Sequence, residues 1–375
     1  MADKMKVLVT GGAGFIGSHT ADRLIKEGYG VRILDNLTEP VHSEGKPEYI
    51  PSGAELILGD IRDKETLKNA LNGVGAVMHF AAYQDYLPDF SKFFHVNSVG
   101  TALIYEIIVE NKLPVKKIVV ASSQSVMGEG RYRCKDDGAF YPDIRSQEQL
   151  ERGEWEIDCP RCGKSAQHML SDESVINPQN QYAISKHTQE MIAINFGRRY
   201  DIPSTALRYS IVQGPKQSLY NAYSGVCRIF CLSAFLKKEA VIYEDGKSIR
   251  DYVNIDDVVD ANMLALEDDR ANYQVYNVGG GKPYTVSEFA DIVTKVTGAP
   301  LRAKVTGEYR FGDTRHIFSD ISKLKSLGWT PKVNIEKSVE DYMSYLRRQK
   351  DIKDILDYSN KKMRSLGVIR KKRGQ

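Results

Sequence analysis

The 375-residue sequence has no run of 18 apolar residues, so we expect no helix that spans a membrane. Its five cysteines are too few, and odd in number, for a disulfide framework in a chain of this length, which favours reduced thiols. Internal repeats and low-complexity segments are also missing. The N-terminus lacks the layout of a signal peptide, so we expect a cytoplasmic protein.

Neither sign of charge dominates the sequence, since 52 basic residues stand against 49 acidic ones. The last fifteen residues hold seven of the basic residues and no acidic one, so the rest of the chain is mildly acidic. A basic tail can contact nucleic acid or anionic lipid, but a frayed, solvated C-terminus is the simpler expectation. We therefore expect neither nucleic acid nor a membrane as a partner.

Short β-branched runs alternate with amphipathic stretches in the first third of the chain. Strands are predicted at residues 6–10, 31–34, 54–58, 76–80 and 117–121, and helices at 15–27, 64–71 and 93–111. Strands that are apolar almost throughout and alternate with helices indicate a parallel sheet covered on both faces. The pattern predicts the α/β class, with a Rossmann-type doubly wound parallel sheet.

The remaining chain is less regular, and we divide it by composition. Residues 1–210 are predicted to form a dinucleotide-binding domain, interrupted by a polar, cysteine-containing insertion at 129–174. Residues 211–350 are predicted to form a smaller mixed α/β substrate-binding domain, with some crossover of the chain between the two. Residues 351–375 are a basic C-terminal extension.

A glycine-rich loop follows the first predicted strand and opens the first predicted helix. Gly12-x-Gly14-x-x-Gly17 matches the dinucleotide fingerprint, and Gly11 extends it. The absence of Cβ atoms lets the backbone approach a pyrophosphate, and the helix N-terminus offers free N–H groups to it. Asp35 ends the second strand, where its carboxylate would bond the ribose hydroxyls and favour NAD over NADP.

Tyr182 and Lys186 are four residues apart in the helix predicted over 181–200, which puts both side chains on one face. A tyrosine with its ordinary pKa of about 10 is a poor base at neutral pH. A neighbouring ammonium and an oxidised nicotinamide ring would stabilise the phenolate and lower that pKa toward about 7. Alone, the pair could equally lie on the surface. The dinucleotide pattern and the strand-end residues Ser122 and Ser123 favour a reactive site.

Together these motifs resemble the extended short-chain dehydrogenases/reductases, in particular the NAD-dependent nucleotide-sugar epimerase/dehydratase family. The resemblance covers the chain from about residue 5 to about residue 350. Besides the glycine loop it rests on Asp35, Gly59-Asp60, His79-Phe-Ala-Ala82, Asn97, Ser122-Ser123, Tyr182-x-x-x-Lys186, Leu207-Arg-Tyr209, Gly214-Pro215, Arg250-Asp-Tyr252 and Arg310-Phe-Gly-Asp313.

The resemblance implies tightly bound NAD and a nucleotide-diphosphate sugar as the ligands. It implies NAD contacts from Gly11, Gly14, Phe15, Ile16, Gly17, Asp35, Asn36, Asp60, Ile61, Ala81, Ala82, Asn97, Tyr182, Lys186 and Tyr209. It implies substrate contacts from Gln124, Ser125, Arg250 and Arg310, although each arginine could instead form a structural ion pair. Asp60 could bond adenine or cap the helix at 64–71. Asn97 is expected to organise the site by hydrogen bonding, and His79 to pack at a strand end.

The residues after the fifth strand separate the reactions of this family. By the family register, Ser123 is the hydroxyl that bonds the substrate oxygen beside Tyr182. Family dehydratases place Asp-Glu directly after this hydroxyl, whereas this chain has Gln124 and Ser125. Removal of water is therefore not expected.

Three cysteines fall within the insertion. Cys134-x-x-Asp137 is followed, after 21 residues, by Cys159-Pro-Arg-Cys162-Gly, which has the form of a zinc knuckle. Asp137 or His168 could be the fourth ligand of a structural zinc ion, and uncoordinated reduced thiols are the alternative. The same cysteine pattern resembles the family subgroup that acts on dTDP-L-rhamnose, in which histidine usually replaces Asp137. Cys227 and Cys231, which lie elsewhere in a helical stretch, are expected to be buried.

The sequence therefore predicts an NAD-dependent nucleotide-sugar 4-epimerase, acting on dTDP-L-rhamnose or a UDP-hexose. Tyr182 would take the 4-hydroxyl proton, Ser123 would position that oxygen, and Lys186 would support the phenolate, while NAD accepts and returns the C4 hydride. The alternatives are a 4-keto reductase or dehydratase of the same family, and a non-catalytic NAD-binding scaffold. The resemblance also implies a homodimer through helices at 103–109 and 191–196, whose apolar stripes could instead face the core.

Overall fold

The computed structural model describes residues 4–39, 41–43, 45–85, 87–219, 225–298, 301–350, 352 and 354–374. Its strands are β1 (Lys4–Thr10), β2 (Tyr29–Asp35), β3 (Ala54–Leu58), β4 (Ala76–His79), β5 (Lys117–Ser123), β6 (Arg131–Cys134), β7 (Gly138–Phe140), β8 (Gln167–Met169), β9 (Ser204–Tyr209), β10 (Ile211–Gln213), β11 (Glu239–Ile242), β12 (Ile249–Asn254), β13 (Gln274–Val278), β14 (Pro283–Thr285), β15 (Arg302–Val305), β16 (Tyr309–Arg310) and β17 (Ile369–Arg370).

The helices are α1 (Phe15–Lys26), α2 (Lys64–Leu71), α3 (Phe90–Phe93), α4 (Gly100–Glu110), α5 (Gln147–Glu151), α6 (Gln181–Arg199), α7 (Val226–Phe235), α8 (Ile255–Glu267), α9 (Val286–Thr297), α10 (Ser322–Lys325), α11 (Ile335–Arg348) and α12 (Leu356–Ser365). A π-helical turn, Phe94–Val99, joins α3 to α4, and 3₁₀ turns cover Gln124–Met127 and Asp269–Ala271. Within the described residues, no helix is both long and apolar enough to cross a bilayer.

Seven parallel strands form the main sheet, in the order β13-β9-β5-β4-β1-β2-β3. Strand order runs outward in both directions from the junction of β1 and β4, which is where doubly wound sheets open a crevice at their carboxyl edge. The predicted α/β class and doubly wound sheet are confirmed. The outermost strand, β13, comes from beyond residue 210, so the chain returns to complete this sheet.

The main sheet is buried on both faces, which explains why its strands are apolar almost throughout. Val7 and Val9 of β1 pack with α1 and α8, while Leu8 between them packs with α2 and α4 on the other face. All three side chains are completely buried. Because each strand must be apolar on both faces, the alternation that marks a half-exposed strand is missing.

A second core lies outside the main sheet. Helices α7, α9 and α11 pack together around Phe230, Phe289 and Tyr342, next to the small sheet β10-β12-β14. The predicted packing cysteines, Cys227 and Cys231, are buried in this core.

Two segments that looked irregular in sequence are ordered. Residues 129–174, which we call the cysteine segment, contain the antiparallel sheet β7-β6-β8 and helix α5. The C-terminal residues 354–374 contain α12 and β17, and β17 pairs with β16. The expectation of a frayed C-terminus is therefore wrong, because Arg364, Arg370 and Arg373 have partners in the folded chain that the sequence does not reveal.

Candidate active site

Two adjoining cavities open at the carboxyl edge of the main sheet. The glycine-loop cavity, of about 360 Å³, is bounded by the β1–α1 loop and the ends of β2 and β3. The arginine cavity, of about 450 Å³, extends toward the second core and contains Arg228, Arg250 and Arg310 in its walls. The predicted base Tyr182 lies in the walls of both cavities, at their junction.

The glycine loop is too tightly packed to accept side chains. A Cβ atom on Gly11 would lie 2.6 Å from the backbone nitrogen of Ala81, and one on Gly17 would lie 2.2 Å from the carbonyl oxygen of Gly11. Gly11 also has a φ of +68°, which favours glycine. Helix α1 follows with Gly14 at its N-cap and no side chain capping its first N–H groups. These features fit a pyrophosphate held against the helix N-terminus.

The two predicted acidic contacts line the glycine-loop cavity. Both oxygens of Asp35 accept backbone N–H groups, from Ala13 at 3.0 Å and from Leu37 at 2.9 Å, so its carboxylate is fixed in place. Asp60 accepts two hydrogen bonds from the Arg62 side chain, which lower the pKa of its carboxyl to about 2. The N-cap of α2 is Asp63, so the alternative role of Asp60 as that cap is wrong.

The other predicted NAD contacts divide into two groups. Those in the wall of the glycine-loop cavity are Gly14, Phe15, Ile16, Asn36, Ile61, Ala81, Ala82, Lys186 and Tyr209. Asn97 is fully buried behind the wall, where its amide bonds the backbone of Tyr83 and the hydroxyl of Ser185. Asn97 therefore holds the wall together from outside the cavity.

Lys186 is buried directly beneath the junction of the cavities. Its ammonium donates to the carbonyl of Ala121 in β5 at 2.8 Å and to Gln189 at 2.8 Å, and it lies 5.9 Å from the centre of the Tyr182 ring. Burial lowers the pKa of Lys186 to about 7, because desolvation disfavours the charged form. Helix α6 carries both residues and begins one position before Tyr182, where Asn180 caps it.

The two serines at the end of β5 have different partners. Ser122 donates to Glu190, which is buried and held by two hydrogen bonds from Arg208, at 2.7 and 2.8 Å. Ser123 lies in the wall of the arginine cavity, and its hydroxyl accepts the N–H of Ser125 at 3.2 Å, which leaves its proton available to a ligand. This difference favours Ser123, as the sequence predicts, for contact with a substrate.

Two buried polar atoms without protein partners belong to residues in the wall of the arginine cavity. The side-chain oxygens of Gln124 and Ser125 are buried and have no hydrogen-bond partner among the described residues, and both residues lie in the cavity wall. Buried polar groups almost always have partners, which makes Gln124 and Ser125 candidates to bond the hydroxyl groups of a ligand.

The predicted arginines differ in their surroundings. Arg250 donates only to carbonyl oxygens, those of Ile249, Thr314 and Arg315, within the described part of the chain, so no carboxylate occupies its N–H groups there. Arg310 forms an ion pair with Asp313, with an Nε–Oδ2 distance of 2.7 Å. Both arginines lie in the cavity wall and can present N–H groups to a diphosphate.

Sequence reasoning missed a third arginine in this cavity. Arg228 is completely buried, donates to the carbonyl of Leu219 at 2.6 Å, and has no partner for its Nε among the described residues. Burial lowers the pKa of its guanidinium to about 10. The available signal was a charged residue inside the apolar stretch that forms α7.

His79 does not reach either cavity. It is completely buried between the hydroxyls of Thr10 and Thr101, at 2.7 and 2.8 Å. Burial lowers its pKa to about 3, so the ring is neutral at physiological pH. The expectation that His79 packs at a strand end agrees with this position.

The three cysteines of the cysteine segment converge with Asp137. Their ligand atoms all lie within 4.8 Å of one another, and the Sγ atoms of Cys134 and Cys162 are 3.5 Å apart. Cys159 Sγ is 3.2 Å from Asp137 Oδ2. His168 packs instead against Tyr132, with ring centroids 5.4 Å apart, so of the two candidate fourth ligands Asp137 is the one in the cluster.

A buried charged network joins the cysteine segment to the arginine cavity. Arg145 donates to Glu244 at 2.8 Å and to the carbonyl of Asp313 at 2.7 Å. Arg315 bonds Glu244 at 3.0 Å and also binds Glu156 of the cysteine segment. The cysteine segment therefore supports the loop that holds Arg310 and Asp313.

Comparisons with known proteins agree with this geometry. The model of the NAD dependent epimerase/dehydratase family matches residues 7–146, and that of GDP-mannose 4,6 dehydratase matches residues 162–342. The chain is 32% identical to the dTDP-L-rhamnose 4-epimerase of Burkholderia thailandensis, over 94% of this chain and 98% of that protein.

Solved structures give the same result. The UDP-glucose 4-epimerase of Thermotoga maritima with UDP-glucose superposes with a TM-score of 0.74 at 32% identity, covering 92% of this chain and 99% of that one. The Thermus thermophilus UDP-glucose 4-epimerase in complex with NAD gives a TM-score of 0.73 at 27% identity, covering 92% of this chain and 100% of that one.

We predict that Glu190→Leu destabilises the protein by about 3–5 kcal/mol, because it leaves the guanidinium of Arg208 buried without a carboxylate. The two side chains are 3% and 1% exposed. Urea unfolding followed by circular dichroism measures the effect. The control is Glu27→Leu, which breaks an exposed ion pair with Arg23 and should cost at most about 1 kcal/mol. Equal losses in the two variants would contradict the prediction.

Proposed function

The chain belongs to the NAD-dependent epimerase/dehydratase family, and on that premise we propose that it epimerises C4 of dTDP-L-rhamnose. Its activity class is that of an NAD-dependent nucleotide-sugar 4-epimerase, as in its homologues. The cysteine pattern and the 32% identity to a dTDP-L-rhamnose 4-epimerase support the choice of sugar. The observation that carries the site assignment is the position of Tyr182 at the junction of the two cavities.

We assign the glycine-loop cavity to NAD and the arginine cavity to the nucleotide sugar. NAD bound there would supply reversible hydride chemistry, taking hydrogen from the sugar carbon and giving it back. The glycine loop and Asp35 would hold its pyrophosphate and ribose. Arg250 and Arg310 would bind the sugar diphosphate, and the unpartnered oxygens of Gln124 and Ser125 would orient the ring.

The chain's own proton chemistry centres on Tyr182. Its phenolate would take the proton of the 4-hydroxyl group, while Ser123 bonds that oxygen. The ammonium of Lys186, buried and 5.9 Å from the tyrosine ring, would stabilise the phenolate. Rotation of the sugar about its diphosphate linkage would then present its other face.

We predict that Tyr182→Phe lowers kcat by about 10²–10⁴-fold, because the variant keeps the ring but loses the proton acceptor. The substrate is dTDP-L-rhamnose, incubated with the purified holoprotein without added NADH, and the 4-epimer is quantified by NMR. Tyr141→Phe is the matched control, since Tyr141 is exposed and lies outside both cavities.

Two outcomes would favour other functions. No epimerisation of dTDP-L-rhamnose, together with stoichiometric oxidation of added NADH when a nucleotide 4-keto sugar is supplied instead, would favour a 4-keto reductase. Full biological function of Tyr182→Phe would favour a non-catalytic NAD-binding scaffold. UDP-glucose and UDP-glucuronate are assayed in parallel. If one of them has a higher kcat/KM than dTDP-L-rhamnose, it replaces dTDP-L-rhamnose as the proposed substrate.

We further propose a structural zinc ion in the cysteine segment. Cys134, Cys159 and Cys162 would supply three thiolates and Asp137 the fourth ligand, an uncommon but geometrically compact set. Because these residues come from separate turns, a bound ion would tie β6 to the loop between α5 and β8. Reduced thiols without metal are the alternative.

We predict about one zinc ion per chain in protein purified without chelators, measured by plasma mass spectrometry. Cys162→Ser should lower the zinc content several-fold, because it removes a thiolate ligand. Cys231→Ala is the control, since that thiol is buried in the second core, outside the cluster. Zinc-free wild-type protein, or Cys162→Ser with full zinc, would exclude the proposed site.

We also propose that the protein is a homodimer through α4 and α6. These helices pack side by side, and apolar side chains remain exposed on them and at their ends, namely Val99, Val109, Ile184, Met191, Phe196 and Tyr200. Buried on a second copy, such a surface would form the four-helix packing that the family resemblance implies.

We predict that Met191→Glu converts a dimer into a monomer, because it places a charge in the proposed interface. Light scattering coupled to gel filtration measures the mass. Val305→Glu is the control, since Val305 is equally exposed but lies on β15. A monomeric wild type, or a dimeric Met191→Glu variant, would reject this interface.

A further inference from the structure

The strand that carries Arg310 depends on the C-terminal extension for its place in a sheet. β16 pairs antiparallel with β17, with Tyr309 opposite Arg370 and Arg310 opposite Ile369, and no third strand joins them in the described part of the chain. The N–H of Phe311 continues the pairing by donating to the carbonyl of Val368 at 3.2 Å. A two-residue strand has little stability by itself, so the extension fixes the backbone beside Arg310.

Side chains of the extension reinforce this attachment. Arg364 donates two hydrogen bonds, each 2.7 Å long, to the carboxylate of Glu308, directly before β16. The guanidinium of Arg370 lies 4.6 Å from the centre of the Phe311 ring. The bidentate geometry of the Arg364 pair restricts its orientation more than a single contact would. Arg364 and Arg370 therefore attach the extension to the residues on either side of β16.

The extension is also tied to the cysteine segment. Arg373 donates its backbone N–H to the carbonyl of Glu151 at 2.8 Å and its side chain to the carboxylate of Glu151 at 3.0 Å. Arg370 donates to the side chain of Gln147, in the same helix, at 2.7 Å. The extension thus crosses from the second core to α5 over the outer end of the arginine cavity.

Helix α12 supplies part of the wall of that cavity. Leu356, Asn360 and Met363 line it, and Leu356 and Met363 are almost completely buried. Asn360 adds a side-chain amide to this wall. An apolar wall with one amide suits a ligand that is flat and has polar groups along its edge.

The position of α12 along the cavity indicates which part of the substrate it meets. In the proposed function the sugar lies at Tyr182 and the diphosphate at Arg250 and Arg310. The part of the cavity lined by β11 and α12 is then left for the nucleoside. Lys238, directly before β11, binds Asp357 of α12 at 3.0 Å, so these two elements close the same end.

We propose that residues 354–373 of the C-terminal extension form the nucleotide end of the substrate site. It holds the Arg310 strand in position through β17 and Arg364, and it presents Asn360 and Met363 to the base. The amide of Asn360 offers one acceptor and two donors, which complement the carbonyl and N–H edge of a thymine or uracil. Arg364 is a positioning residue and Asn360 a specificity residue. This inference rests on the proposed function.

The test measures binding of free dTDP and free GDP to the NAD-loaded full-length protein by calorimetry. Ile369→Asp should detach β17, because Ile369 is buried, and should weaken dTDP binding about tenfold, the effect of losing one charged hydrogen bond. KM for the nucleotide sugar should rise by a similar factor, with kcat changing less than about twofold. Leu366→Asp is the matched control, since Leu366 is exposed in the same extension.

Asn360→Ala tests the base contact independently of folding of the extension. We expect it to weaken dTDP binding several-fold and to leave GDP binding unchanged. The ratio of the affinities for dTDP and GDP should therefore fall. Bound NAD should remain at the wild-type level in every variant, because α12 does not line the glycine-loop cavity.

The inference is overturned if Ile369→Asp and Asn360→Ala both bind dTDP as the wild type does. It is also overturned if the wild type binds GDP as tightly as dTDP. Failure of the proposed function gives a different result, namely a wild type that binds dTDP but does not epimerise dTDP-L-rhamnose. In that case the nucleotide site stands and the reaction must be reassigned.

Discussion

The site depends on one buried contact, in which the ammonium of Lys186 donates to the main-chain carbonyl of Ala121. This bond joins α6 to the end of β5 and thereby fixes Tyr182 relative to Ser123. Its donor is removed from water, which lowers the lysine pKa to about 7 and strengthens its electrostatic effect on neighbouring groups. A second buried contact, Glu190 with Arg208, ties the same helix to β9. Helix α6 is therefore placed by polar contacts as well as by apolar packing.

The reactive edge of the sheet is enclosed by parts of the chain that are distant in sequence. The cysteine segment supports the Arg310 loop through Arg145 and Glu156, and the C-terminal extension supports it from the other side through Arg364. Each segment also buries a few apolar side chains, such as Leu150 in the first and Leu356 and Ile369 in the second. The ion pairs and the strand pairing add specific geometry, although each is weak by itself.

Much of the fold and part of the site could be predicted from local sequence. The continuous apolar strands, the glycine loop and the spacing of Tyr182 and Lys186 each depend on residues close together in the chain, and the structure places them as expected. Strand β3 agrees with its predicted limits, and α6 differs by one residue. The cluster of Cys134, Asp137, Cys159 and Cys162 was also predicted from the sequence. The spacing of these residues did not decide whether Asp137 or His168 is the fourth member.

The sequence by itself determined the parallel sheet, the dinucleotide loop and the tyrosine–lysine pair, because each follows from backbone conformation and helical or strand periodicity. Tertiary structure alone decided the partners of the long-range charges. In the sequence Arg228 is an unexplained charge in an apolar stretch, and only the packing of α7 beside the cavity accounts for it. The sequence likewise suggests a solvated basic tail, whereas the structure pairs β17 with β16. Such contacts join residues far apart in the chain, and no local pattern specifies which strand edge or carboxylate a charged side chain will meet.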